Sequence, residues 1–85
     1  MHDTFLNQNL YESITDLCKD SFISKILNLR ISVHRNSHIC EESLRDYFAD
    51  RKSGLIGDWT NILVLKQEME PLTATIEQID GEKLP

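Results

Sequence analysis

The stretch that decides the fold is residues 27–33, which read Leu-Asn-Leu-Arg-Ile-Ser-Val. Apolar and polar side chains alternate there without a break, and two of the apolar ones are β-branched. A period of two residues places one set of side chains on each face of a strand, so this pattern predicts a half-buried strand. A helical alternative remains open, because Ile23, Leu27 and Ile31 are also spaced by four.

The residues before this stretch have the period of a helix. Over residues 5–20, apolar residues recur at steps of three or four, at Leu6, Leu10, Ile14 and Leu17. Such a stripe predicts an amphipathic helix. Apolar residues continue at Phe22, Ile23 and Ile26, so we expect this helix to run to about Ile26.

A second helix is predicted after the strand, over residues 40–52. Its apolar face consists of Leu44, Tyr47 and Phe48. Acidic residues 41–42 begin the segment and basic residues 51–52 end it, which matches the helix dipole at both ends. Gly54 follows as a stop signal, and residues 53–60 are predicted to form a loop.

The last third of the chain supports two interpretations. The apolar run at residues 62–65 and the alternating residues 72–76 predict two strands, joined as a hairpin by a turn at residues 67–71. The dipeptide Asp80-Gly81 predicts a further turn with a short returning tail. The rival is a helical seam at heptad spacing, formed by Ile62, Leu65, Met69, Leu72, Ile76 and Ile79. Pro71 disfavours a continuous helix, and we favour the hairpin.

Together these segments predict an α+β fold. A small sheet of about three strands is covered by two helices, in the order α-β-α-β-β. The alternative is an all-α bundle of four or five short helices. With 85 residues, the chain is expected to form a single domain over residues 1–85.

The charge balance argues against binding to nucleic acid. The net charge is −5, and nucleic-acid binders rely on Lys and Arg to neutralise phosphates. Most of the excess acid lies in residues 58–85. The opposite bias appears in residues 21–40, which contain Lys25, Arg30 and Arg35 but no acidic residue. We interpret that stretch as a solvated basic face opposite an apolar one, and the alternative is a minor contact with a phosphate or an acidic partner.

The sequence predicts a cytoplasmic protein. Its two cysteines, Cys18 and Cys40, are too few for a disulfide framework, and we expect both to be reduced. Cys18 lies on the apolar side of the first helix and should be buried. No stretch approaches the ~20 apolar residues of a membrane span, and we expect no membrane association.

The sequence predicts no catalytic residue, no cofactor and no metal site. His34, His38 and Cys40 are close in sequence, but a zinc site needs a second pair of ligands that the chain does not supply. No nucleophile lies in a G-x-S-x-G turn. The paired carboxylates lack the apolar enclosure that tunes a catalytic acid. We therefore expect a protein that is not an enzyme.

These features predict binding to another protein, and the acidic residues suit a partner with a basic surface. The candidate binding residues are Trp59, Glu68, Glu70, Glu77 and Asp80. The acids would steer a basic partner, and the single Trp would act either as an interface anchor or as part of the core. We expect a small acidic regulator or inhibitor that acts stoichiometrically. The alternative is a structural or assembly factor, or a chaperone-like oligomeric subunit, that uses the helical seam and forms a homo-oligomer.

Overall fold

The fold is a two-layer α+β structure, seen in a computed structural model that describes residues 3–84 of the chain, with side chains from residue 5 onward. Its elements are α1 (Asp3–Asp20), β1 (Ile23–His34), α2 (Glu41–Asp50), β2 (Asn61–Gln67) and β3 (Ala74–Lys83). The predicted order α-β-α-β-β and the small sheet covered by two helices are confirmed.

The strand predicted from residues 27–33 is the centre of the sheet. The strand order is β2-β1-β3. β1 runs parallel to β2, with Asn28 opposite Asn61 and His34 opposite Gln67, and the register between them is unbroken. β1 runs antiparallel to β3, with three irregularities in the pairing. The connection from β1 to β2 contains α2, as a parallel pair requires.

Both helices lie on one face of the sheet and close a single core. The buried residues of β1 include Leu29, Ile31 and Val33, and they join the apolar stripe of α1 in one cluster. Leu44 and Phe48 of α2 are fully buried in the same cluster, as the sequence predicts. The ring of Tyr11 links the helices, since its centroid lies 4.9 Å from that of Phe48.

The predicted extension of the first helix to Ile26 is wrong. α1 ends at Asp20, and Ile23 is already the first residue of β1. Between them Phe22 adopts a left-handed backbone with a φ of 59°, which ends the helix. The apolar residues at 22, 23 and 26 mimic a helical stripe because β1 contains irregularities at Ser24 and Leu27, which shift its alternation.

The predicted hairpin is also wrong, although both of its strands exist. β2 and β3 lie on opposite sides of β1 and do not pair with each other. The helical seam is not formed, because its residues lie in two strands and the segment between them. Asp80-Gly81 forms no turn and lies within β3. A Cβ at Gly81 would collide with the main-chain oxygen of Lys25, so the close approach of β1 and β3 explains this glycine.

Candidate functional site

One face of the sheet is covered by neither of the two helices that the structure describes, α1 and α2, and we call it the open face. Since Leu29, Ile31 and Val33 point into the core, the alternate residues of β1 and their partners in register point outward. The residues of the open face are Asn28, Arg30, Ser32, His34, Asn61, Leu63, Leu65, Gln67, Thr75, Glu77, Gln78 and Asp80.

The centre of the open face is a shallow depression with a positive charge in it. The depression has a volume of about 310 Å³, and its lining includes Asn28, Arg30, Asn61, Leu63 and Gln78. Asn61 donates to Asn28 across the two strands at 3.4 Å. The side chain of Arg30 makes no hydrogen bond or ion pair with any residue between 3 and 84. Its guanidinium is therefore available to a ligand that offers oxygen atoms.

The β3 side of the open face is acidic and internally bonded. Ser32 is buried there because Glu77 lies over it, and its hydroxyl donates to a Glu77 carboxylate oxygen at 2.9 Å. Gln78 donates to the carboxylate of Asp80. The opposite side, along β2, has Leu63 and Leu65 at its centre with Asn61 and Gln67 at its ends, and Leu63 is 49% exposed. A partner lying across the sheet would therefore meet carboxylates, then Arg30, then leucines.

Trp59 is the one aromatic residue among the predicted binding residues. Its side chain is partly exposed and makes contacts with its own loop. It is 42% exposed in the loop before β2, and its ring packs against Gly57. Its indole nitrogen donates to the carbonyl of Leu55 at 3.3 Å. The amine of Lys25 lies 4.8 Å from the ring centroid. The ring thus packs on its own loop and presents one side to solvent.

The five predicted binding residues do not form one surface. Glu77 and Asp80 lie on the open face, and Asp80 is opposite Asn28 near the beginning of β2. Trp59 precedes β2 at that same end. Glu68 and Glu70 follow β2, at its other end. Glu68 is paired there with Arg35 at 2.6 Å, and both side chains are well exposed.

The separation of charge along the sequence is largely lost in the fold. The basic stretch 21–40 forms mainly β1, and the acidic last third forms its neighbours. Lys25 is opposite Glu82 in the β1–β3 register, and Arg35 pairs with Glu68. An ion pair as exposed as Arg35–Glu68 contributes at most about 1 kcal/mol, but placing opposite charges close together weakens the long-range field of each.

Arg45 holds the loop that carries Trp59. Its guanidinium donates to the carbonyls of Gly57 at 2.9 Å and Thr60 at 2.6 Å, and it pairs with Glu41 at 2.8 Å. The hydroxyl of Thr60 donates to the carbonyl of Ile26 at 2.7 Å. This network fixes the point at which β2 begins.

The residues considered for other chemistry lie apart from the open face or in ordinary roles. Cys40 occupies the N-cap position of α2, where its main-chain nitrogen donates to the hydroxyl of Ser43 at 3.0 Å, and His34 Nδ1 accepts from the main-chain nitrogen of Asn36 at 3.2 Å. No cluster of three or more His, Cys, Asp or Glu suited to a metal ion occurs in the described part of the chain. Cys18 is buried and unpaired, and burial raises the pKa of its thiol. None of the helices described is long and apolar enough to cross a membrane.

Comparison with protein-family models, with curated proteins and with solved structures finds no match to this chain. The site is therefore assigned from its own residues. The binding residues predicted from the sequence do not include the central residues of the open face, such as Arg30 and Gln78. The alternation of residues 27–33 contained the signal, because it predicts that Asn28 and Arg30 share the face opposite the core.

Proposed function

We propose that this chain is a small acidic regulator that binds a partner protein through the open face and acts by stoichiometric binding. The observation that carries the proposal is that no element among residues 3–84 covers the open face of the sheet. In a two-layer fold of this size, both helices cover the other face, and the uncovered strands display a ready, flat contact surface.

The composition of the open face supports a protein as the ligand. Its carboxamides at Asn28, Asn61 and Gln78 can both donate and accept hydrogen bonds, which suits the main chain and polar side chains of a partner. Leu63 supplies exposed apolar area beside them. Arg is among the residues enriched in interface hot spots, and Arg30 is central and unpaired within the described chain.

The charges suggest how a partner would be oriented. Glu77 and Asp80 line one side of the open face and suit basic residues of the partner. Arg30 would receive a carboxylate or a main-chain carbonyl of the partner. We further propose that the protein works in the cytoplasm, since neither cysteine is used in a disulfide.

The experiment places a photo-crosslinking amino acid on the open face in the cells that produce the protein. The position is Gln78, which lines the central depression. The control position is Glu42, an exposed residue of α2 on the far side of the molecule. We expect light to join the protein at position 78, and not at position 42, to one protein species identified by mass spectrometry.

Two results would contradict the proposal. One is the absence of any protein adduct at position 78 when the labelled chain is folded and present at its normal level. The other is the same adducts at both positions, which would mean random collision rather than docking on the open face. Arg30→Glu should remove the adduct at position 78, since it reverses the central charge.

The alternative, a structural or assembly factor, has no helical seam available, because the seam residues lie in β2, in β3 and in the segment between them. Any assembly of this chain would have to use another surface.

A further inference from the structure

The two edges of the sheet differ in how they are protected against strand pairing. The β3 edge has irregular pairing with β1 at three places and contains Glu77, Asp80 and Glu82. Bulges and charged residues are the means by which proteins block unwanted pairing at an edge. The β2 edge has no bulge and only one charged residue, Lys66. Its register with β1 is unbroken over seven pairs.

The peptide groups at the β2 edge can be assigned individually. The carbonyl of Gln67 accepts from the main-chain nitrogen of Arg35 at 3.0 Å, so the peptide groups of Gln67 point toward β1. Successive residues of a strand point their N–H and C=O groups to opposite sides. The groups of Ile62, Val64 and Lys66 therefore point away from β1, to the free edge.

We infer that β2 pairs antiparallel with β2 of a second copy of this chain, about a two-fold axis at Val64. The strand is complementary to itself in that register. Val64 lies opposite Val64, Leu63 opposite Leu65, and Ile62 opposite Lys66 of the other copy. No like charges face each other within the strand, and a two-fold axis gives a closed dimer rather than a fibre.

The hydrogen bonds of this dimer follow from the orientation of the peptide groups. Val64 forms a hydrogen-bonded pair with itself, in which each N–H donates to the carbonyl of the other copy. Ile62 and Lys66 form two further pairs of this kind, for about six hydrogen bonds in all. The result is a continuous sheet of six strands, in the order β3-β1-β2-β2-β1-β3, that exposes only the irregular, acidic β3 edges.

The pairing also extends the open face. Leu63 and Leu65 of both copies would meet at the axis and form an apolar patch. Gln67 of one copy would lie beside Asn61 of the other, which continues the row of Asn61, Asn28 and Asp80 across the sheet. The central depression would thus receive one wall from the second copy. This inference does not depend on the proposed function, because it concerns the chain alone.

The decisive experiment removes one edge N–H and leaves every side chain in place. The chain is assembled by chemical ligation at Cys40 with the peptide nitrogen of Val64 methylated, and the control is the unmethylated chain from the same ligation. Because that N–H does not bond to β1, the monomer should keep its fold, which circular dichroism checks. We expect the unmethylated chain to dimerise in sedimentation equilibrium, and methylation to raise the dissociation constant at least tenfold.

Amide hydrogen exchange identifies the surface. The N–H groups of Ile62, Val64 and Lys66 should become protected as concentration rises, while those of the β3 edge should not change. A chain that stays monomeric up to millimolar concentration would overturn the inference. So would a dimer that leaves these three amides unprotected, or one that methylation does not weaken.

A genetic variant covers the case in which the methylated chain does not fold. Leu63→Lys with Leu65→Lys puts like charges together at the axis, on side chains that point away from the core. Leu72→Lys with Leu84→Lys is the matched control, since both leucines are exposed and lie outside β2. We expect at least a tenfold weaker dimer for the first pair and no change for the control. Equal dimerisation of the two variants would refute the inference.

Discussion

Leu72 has a backbone conformation that Gly or Asn adopts more readily than Leu. Its φ is 61°, in the left-handed region, and its side chain is 62% exposed in the connection between β2 and β3. Side chains other than those of Gly and Asn clash with the main chain there, at a cost of roughly 1–2 kcal/mol. Because the side chain of Leu72 is largely exposed, burial does not offset the strain in its backbone.

We therefore expect Leu72→Asn to raise the free energy of unfolding by about 0.5–1 kcal/mol, because Asn tolerates this backbone. Urea unfolding measures the change. Leu63→Asn is the control, since Leu63 is also exposed but lies in an extended strand, where Asn is disfavoured. If Leu72→Asn lowers the stability as Leu63→Asn does, the conformation assigned to residue 72 is wrong.

The thiol of Cys18 couples stability to pH. Burial raises its pKa above the usual value of about 8.5, because the charged thiolate is disfavoured in the core. At high pH the unfolded chain loses this proton while the folded chain keeps it. Stability from Cys18 is therefore fully present below about pH 8.5 and falls as pH rises toward the folded pKa.

This predicts a difference between two chains that both carry Cys40→Ala. With Cys18 present, the free energy of unfolding should fall more between about pH 8 and pH 10 than with Cys18→Ala. Denaturant unfolding at each pH gives both curves, and the groups common to both chains cancel in the difference. Parallel curves would show that the Cys18 thiol titrates equally in the folded and unfolded states.

At the scale of elements, the sequence predicts which segments form helices and strands better than it predicts which strands pair with each other. The alternation of residues 27–33 gives the central strand, and the spacing of Leu44 and Phe48 gives the buried face of α2. Strand pairing depends on contacts far apart in sequence, so the local pattern predicts β2 and β3 as strands but pairs them wrongly as a hairpin. The sequence does not predict the end of α1, because Phe22, which adopts the left-handed conformation there, is not a residue that signals a stop.

The candidate site follows the same division. The alternation in β1 predicts which of its residues lie on the open face. It does not predict which strands lie beside β1. Glu68 and Glu70 are close in sequence to Glu77 and Asp80, so the sequence alone predicts one acidic surface. In the fold they are separated by the length of β2, since the chain reverses after Gln67.

The loop before β2 depends on Arg45, which bonds two carbonyls with the two ends of one guanidinium. Arg45→Lys should lower the free energy of unfolding by about 1–3 kcal/mol, because an ammonium cannot reproduce the planar fork and leaves a carbonyl of the loop unsatisfied. The fluorescence of Trp59 should shift toward that of exposed tryptophan before global unfolding.

Arg51→Lys is the control for that change, since the guanidinium of Arg51 lies over the ring of Tyr47 at 3.6 Å and makes no bond to the loop. Thermal melts followed at Trp59 and by circular dichroism separate loop opening from unfolding. Identical melts for the two variants would mean that Arg45 does not hold the loop.

At the scale of the whole molecule, the open face and the remote acids should act differently on a partner. Charges that contact the partner affect both association and dissociation, whereas charges outside the contact act through the long-range field and mainly affect association. Glu77 and Asp80 lie on the open face, and Glu68 and Glu70 lie at its end. The partner for this measurement is the protein joined to position 78 by light.

We expect Glu68→Lys with Glu70→Lys to slow association several-fold, up to about tenfold, and to leave dissociation unchanged. The effect should shrink as salt rises, because the screening length is only about 10 Å at 0.1 M ionic strength. Asp80→Lys should both slow association and speed dissociation, since it reverses a charge within the contact.

Glu42→Lys with Asp46→Lys makes the same change of charge as the Glu68 and Glu70 pair, on exposed residues of α2, and serves as the control. Surface plasmon resonance at two salt concentrations gives all these rates. An association rate that none of the variants alters, with no dependence on salt, would mean that the acids only keep the protein soluble and that shape and apolar contact govern docking on the open face.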